Sequence, residues 1–231
     1  MRKTILVVGY GPGVSTAVAE RFGAAGYAVA LVGRTQTKLA AGVEALKAKG
    51  LTAAAFPADA ADPAAMRAVV DKARAALGPI GVIHWNAFSG HGVQDLMTVD
   101  PAALAGLFDV ALVGLVAAVQ AALPDLKAAG DGAVLVTNGA FGELDPMIDG
   151  LALALKEMGV PLGNAAKAKL VGLLSARLKG EGVYVGEVTI AGVVRGTGYD
   201  GAAMPTIDPA VIAEAFWTLF KARDQIRARV G

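Results

Sequence analysis

Residues 5–15 read Ile5-Leu6-Val7-Val8-Gly9-Tyr10-Gly11-Pro12-Gly13-Val14-Ser15. Four apolar residues in a row, closed by glycine, describe a short strand buried on both faces. The glycines let the backbone turn tightly, and Ala17, Ala19, Arg21 and Phe22 then carry a helix that Gly26 stops. A strand, a glycine turn and a helix start in that order present a helix N-terminus to a bound anion, with backbone able to approach a pyrophosphate closely. No Lys-Ser/Thr pair follows the glycines, which excludes the common nucleoside triphosphate loop.

The same alternation continues outward from this start. Apolar runs at 28–32, 53–56, 82–85, 133–136 and 183–190 read as strands, with a short seventh at 225–230. Between them lie helical segments: 37–49, Asp62-Pro63 to about Gly78, Asp100-Pro101 to about Lys127, Pro161 to about Lys179, and one opening at Asp208-Pro209. Each Asp-Pro pair is a capping carboxylate followed by proline at the first helical position. Continuous apolar strands alternating with helices predict a doubly wound parallel α/β sheet, a three-layer α/β/α Rossmann fold. No composition break divides the chain, so residues 1–231 are expected to form one dinucleotide-binding domain.

Composition narrows the function classes. Of 231 residues, 55% are apolar and 18% charged, which excludes intrinsic disorder. A formal net charge of +1 gives no electrostatic footprint for nucleic acid or an anionic membrane. There is no cysteine, and two histidines, His84 and His91, leave little for a zinc site. Mean hydropathy is +0.55. The longest apolar run, Val110 to Val119, is about half of the ~20 residues a membrane span needs, so a soluble cytoplasmic protein is expected. The excess apolar character sits in the segment after Asp100, where Leu104, Leu107, Phe108, Val110, Leu112, Val113, Leu115, Val116 and Val119 occupy more than one helix face. A helix apolar all round is buried all round. That predicts a homodimer or homotetramer through the 101–127 helix, the alternative being cover by a loop at 139–160.

Further chemistry gathers at the strand ends. Strand two ends in Val32-Gly33-Arg34-Thr35, with no acid to bind ribose hydroxyls and an arginine suited to a 2′-phosphate. That favours NADP(H) over NAD(H). Asp59, Asn86-Ala87 and Thr137-Asn138-Gly139 end the next three strands, at the carboxyl edge where doubly wound sheets bind ligands.

These residues together resemble the short-chain dehydrogenase/reductase family over essentially the whole chain. The glycine loop, with Gly9, Tyr10, Gly11, Gly13 and Val14, is similar to the family's Gly-x-x-x-Gly-x-Gly, Ser15 replacing its last glycine. Asp59-Ala60 resembles the pair that brackets adenine, and Asn86-Ala87 what remains of Asn-Asn-Ala-Gly. Asn164-Ala165-Ala166-Lys167 resembles the helix bearing Tyr-x-x-x-Lys; Ala191-Gly192 stands at the usual Pro-Gly, with Thr197 as a carboxamide or phosphate contact. The resemblance implies hydride exchange between NADP(H) and a small carbonyl or alcohol, with Lys167 binding the nicotinamide ribose.

The resemblance also marks departures. The catalytic tyrosine falls on Gly163, the serine on Gly139 or Asn138 and the asparagine on Ala111. Tyr199 is then the candidate replacement donor, and the amide of Asn138 a candidate for holding a substrate oxygen; His91 and Asp145 are weaker candidates on loops. Phe88, Phe141, Leu144, Met147 and Met204 are read as an apolar substrate pocket, and Trp85 is expected beside the cofactor. A non-catalytic NADP(H)-binding sensor, or the silent partner of an oligomer, is the competing reading.

Overall fold

The computed structural model describes residues 3–88, 92–197 and 206–231. Its order is β1 (Thr4–Val8), α1 (Val14–Ala24), β2 (Ala28–Gly33), α2 (Gln36–Ala48), β3 (Ala53–Pro57), α3 (Pro63–Leu77), β4 (Ile80–Trp85), α4 (Gly106–Phe108), α5 (Gly114–Ala128), β5 (Ala133–Gly139), α6 (Pro146–Leu155), α7 (Gly159–Leu178), β6 (Tyr184–Ile190), β7 (Val193–Val194), β8 (Thr206–Ile207), α8 (Pro209–Ala222) and β9 (Arg227–Val230). Seven strands form one sheet in the order β3-β2-β1-β4-β5-β6-β9, every pairing parallel. This is the expected doubly wound, three-layer α/β/α fold.

Alternation along β1 assigns the layers. Leu6 and Val8 pack with Met66 and Val70 of α3, Leu115 of α5 and Val171 of α7. Ile5 and Val7 pack with Val18 and Phe22 of α1, Leu39 of α2 and Phe216 of α8 on the opposite face. The chain runs outward from β1 to β3 on one side and from β4 to β9 on the other. The switch between β1 and β4 opens a crevice at the strands' carboxyl ends.

Four helical starts share one cap chemistry. Asp62 accepts from the N–H groups of Ala64 and Ala65, Asp100 from Ala102, Asp145 from Met147 and Asp208 from Ala210, with proline next in each case. The Asp145 cap corrects the expectation of a loop at 139–160, since it starts α6.

The long helix expected from Asp100 is also corrected. A 3-10 turn (Pro101–Leu104), the single turn α4, a wider π turn (Asp109–Val113) and α5 follow one another. Close packing explains the absence of a side chain at the π turn's end: a Cβ on Gly114 would run into the carbonyl oxygen of Ala60, after β3. By length and composition Pro101–Ala128 could cross a membrane. Here its inner side packs on α3 and β4, with Leu115, Ala118, Ala122 and Leu126 fully buried.

Candidate active site

The switch-point crevice is a cleft of about 580 Å³ between the glycine loop, the ends of β2 to β4 and the start of the π turn. Gly9 (φ +81°) and Gly13 (φ +85°) both adopt left-handed backbone that a side chain resists. Gly9 and Tyr10 N–H both donate to Val32 O, tying the loop to β2. Asn86 Nδ2 donates to Gly9 O at 3.2 Å, tying it to the end of β4. Ser15, fully buried in place of the family's third glycine, bonds through its hydroxyl to both the N–H and the C=O of Gly11 at 2.9 Å. The tyrosine ring of the loop lies over Gly42 of α2, where a Cβ would fall 2.5 Å from Tyr10 Oη. Gly13 caps α1 with no side-chain bond, so the first turn of α1 is not closed by a side chain.

Gly9, Tyr10, Arg34, Thr35, Asp59, Ala60, Asn86 and Ala87 line this cleft. Asp59 holds its own turn by accepting from Ala61 N–H at 3.0 Å. Arg34 is exposed, and Lys38, one turn further along α2, joins it on the cleft wall. Neither cation makes a salt bridge or side-chain hydrogen bond among the described residues. Thr35 is the N-cap of α2, yet its hydroxyl makes no capping bond. Two uncommitted cations, a hydroxyl and a helix start thus converge where an anion would be stabilised. Sequence reading missed Lys38; its i+4 spacing from Arg34 was the available signal.

The catalytic half is built differently. Lys167, on the inner side of α7, is 4% exposed. Burial pulls its pKa from 10.5 down to about 8, while the nearby carboxylate of Glu187 acts in the opposite sense. Asn138, also 4% exposed, does not offer its amide to the cleft. Its Nδ2 donates to Asn164 O at 3.0 Å and to Glu187 Oε1 at 3.2 Å, and its Oδ1 accepts from Gly139 N–H. Both amide hydrogens are consumed inside the protein, which corrects the expectation that Asn138 holds a substrate oxygen. Gly163, one turn before Lys167, is buried in the same helix, and Ala111 in the π turn is 5% exposed. Glu187 escaped the sequence reading, although a lone acid within the apolar strand Val183 to Ile190 marked it.

Other expected residues are dispersed. Tyr199, His91 and Met204 lie outside the described residues. A Cβ on Gly13 would lie 2.8 Å from Thr197 Cγ2, so the turn after β7 sits on the glycine loop. The Thr197 hydroxyl donates to Val194 O at 2.7 Å and does not present that hydrogen to a phosphate. Gly192 lies beside Ile207 of β8, away from the cleft lining. Asp145 is spent as the cap of α6. Phe88 lines the cleft, whereas Leu144 and Met147 are 97% and 75% exposed and form no enclosed pocket. Trp85 is fully buried in the core with Phe56 and Leu115, correcting its placement beside the cofactor. Among the described residues no group of three metal-ligating side chains assembles.

A family model described as short chain dehydrogenase matches residues 3–149, more than half of the chain. The chain belongs to the short-chain dehydrogenase family. Over 81 residues it is 32% identical to a short chain dehydrogenase of Pseudocercospora fijiensis, a match covering 35% of this chain and 26% of that protein. The match thus spans about a quarter of that relative's length. Among solved structures, a metagenomic short-chain oxidoreductase in complex with NADP is 26% identical, with 100% of this chain and 97% of that one covered at a TM-score of 0.77. An NADPH-bound short chain oxidoreductase from Pseudomonas aeruginosa PAO1, described as containing an atypical catalytic center, is 20% identical. It covers 100% of this chain, itself covered to 98%, at a TM-score of 0.82. At that identity the likeness speaks for the short-chain dehydrogenase fold.

Proposed function

We propose that this short-chain dehydrogenase is an NADP(H)-dependent oxidoreductase that exchanges a hydride with a small carbonyl or alcohol through an altered active site. The observation that carries the reading is the cluster of Arg34, Lys38 and Thr35 on the cleft wall, with an arginine and not an acid directly after β2. A 2′-phosphate fits two uncommitted cations, and NAD(H) would leave them unused. The glycine loop and the α1 N-terminus suit the pyrophosphate, the Asp59-Ala60 turn suits adenine, and Asn86 holds the loop in place. A metagenomic neighbour solved with NADP supports the same cofactor.

When bound, the dinucleotide supplies or accepts the hydride. The chain's own part is to bind, orient and manage a proton. On this reading Lys167 donates to the nicotinamide ribose, and with glycine at 163 it has no tyrosine to activate. General-acid assistance worth ~10²- to 10⁴-fold is then missing unless another donor supplies it. The partly exposed outer side of 101–127, with Val113 42% exposed, supports a homo-oligomer through that segment.

A second reading, a non-catalytic NADP(H)-binding protein, is favoured by one observation: the saturated amide of Asn138 leaves no polar handle at the end of β5. Calorimetric titration with NADPH and NADH tests both. Tighter NADPH binding is expected, and absence of binding by either dinucleotide defeats both readings. Oxidation of NADPH with aldehydes, ketones or quinones, lost in Lys167→Ala, separates the enzyme from the sensor.

A further inference from the structure

Asn164 lies on α7 next to the buried Gly163 and is 3% exposed. Its backbone oxygen accepts from Asn138 Nδ2, but its own side-chain amide makes no hydrogen bond among the described residues. Nor is that amide sealed from solvent: His84 Nδ1, Trp85 Nε1 and Glu187 Oε2 are the fully buried side-chain atoms that lack a partner there. Two glycines make room for it. A Cβ on Gly139, at the end of β5, would lie 2.8 Å from Asn164 Nδ2, and one on Gly142 would lie 2.8 Å from Asn164 Cβ. The amide nitrogen therefore stands against bare backbone at the carboxyl edge of the sheet, where doubly wound folds bind ligands. Polar side chains on the neighbouring strand ends are already engaged: Thr137 with His84, and Asn138 and Thr189 with Glu187.

Lys167 follows one turn later on α7, 4% exposed and also without a hydrogen bond among the described residues. Residues three apart on a helix share a face, with about 5–6 Å between their Cβ atoms. We propose that Asn164 is a substrate-binding residue of this site, its amide N–H donating to the oxygen of a small ketone, aldehyde or alcohol. The inference rests on the cofactor reading above, in which Lys167 meets the nicotinamide ribose and the reacting carbon lies beside the same turn of α7. As a carbonyl carbon accepts hydride, its π electron pair moves onto the oxygen that Asn164 holds. That oxygen takes its proton from water, because an amide keeps its hydrogens. The polar handle absent from β5 itself is thus supplied from α7. A space-filling role over Gly139 gives no reason for an amide: leucine has similar bulk, and burying an unpartnered polar group is costly.

Urea denaturation separates a structural amide from a functional one. Asn138→Leu removes a saturated amide and is expected to lower the midpoint. Asn164→Leu leaves the bond from Asn138 to the backbone of residue 164 intact and should hold the midpoint at or above that of the wild type. Midpoints as low in both Asn164→Leu and Asn164→Ala as in Asn138→Leu overturn the proposal. The direct readout is the side-chain ¹⁵N–¹H₂ pair of Asn164, assigned by its loss in either variant. It is followed in the wild type during titration with cyclohexanone, alone and with saturating NADP⁺, which has no hydride to give. A saturable shift of the pair in the presence of NADP⁺ is expected. A pair that stays fixed, whether or not other amides respond, overturns the proposal. With NADPH and a ketone that is turned over, Asn164→Leu is expected to lower kcat about 10²- to 10³-fold, and an undiminished kcat overturns the role equally. When neither NADP⁺ nor NADPH binds, the cofactor reading falls by itself: a pair that still follows cyclohexanone keeps Asn164 as a carbonyl site, and a fixed pair defeats both.

Discussion

A Cβ on Gly9 would lie 2.5 Å from the Cα of Ala87. The end of β4 therefore presses directly on the glycine loop, and Asn86, next to that contact, reaches back to Gly9 O. Gly9 also holds φ at +81°. Gly9→Ala is expected to lose about 1–3 kcal/mol from the backbone conformation alone, with the collision added. Urea denaturation should register the loss, and NADPH titration of any folded fraction should find no saturable binding. Wild-type affinity in that variant would remove the loop from the cofactor site.

Arg34 and Lys38 predict cofactor choice. Charge-assisted hydrogen bonds to a phosphate contribute about 1.5–3 kcal/mol each. Arg34→Ala is expected to weaken NADPH about 10- to 100-fold and leave NADH nearly unchanged. Lys38→Ala should act in the same direction to a smaller extent, because an ammonium lacks the guanidinium's paired donors. Equal losses for both dinucleotides would place the cations elsewhere than on a 2′-phosphate.

Most of the sheet was legible because strand and helix periods are local properties. The apolar runs at 5–8, 28–32 and 133–136 became β1, β2 and β5 with little shift in their bounds. The Asp145-Pro146 pair has the same chemistry as the three Asp-Pro starts that were read, and went unread because no strand follows it before α7. Along the broken helix at 101–128, Gly114 packs on Ala60, about fifty residues earlier, a contact that no local pattern carries. The cofactor half of the site was visible because glycine turns and strand-end residues have fixed places in the fold. Asn138 was expected to hold a substrate oxygen because its partners, Asn164 and Glu187, come from distant segments.

His84 predicts how the fold responds to acid. It is fully buried on β4, its Nε2 lies 3.1 Å from Thr137 Oγ1 and its ring meets Phe216 edge-on. Burial pushes its pKa from 6.5 down to about 3. Between those values the unfolded chain holds a proton that the folded chain does not. Stability therefore falls as pH drops from about 6.5 toward 3, by up to about 1.4 kcal/mol per pH unit, and this contribution is flat above 6.5. Urea denaturation between pH 4 and 7 should show a shallower slope in His84→Leu. Identical slopes would mean that the ring protonates in the folded state.

Asp145 and Asp62 cap helices of very different standing, and the difference predicts separate outcomes for the same substitution. The ten-residue α6 buries only Ala152, with Leu153 and Leu155 58% and 55% exposed. A helix that short is marginal without tertiary support, so its cap carries much of its stability. Helix α3 instead anchors Met66, Val69, Val70 and Ala73 in the core. Loss of either cap costs about 1 kcal/mol. In Asp145→Ala that cost should appear locally, as roughly fivefold faster hydrogen exchange at the amides of α6 with the global urea midpoint almost unmoved. Asp62→Ala should lower the global midpoint, because α3 opens only with the core. A global loss from Asp145→Ala would show that α6 is coupled to the sheet more tightly than its exposure implies.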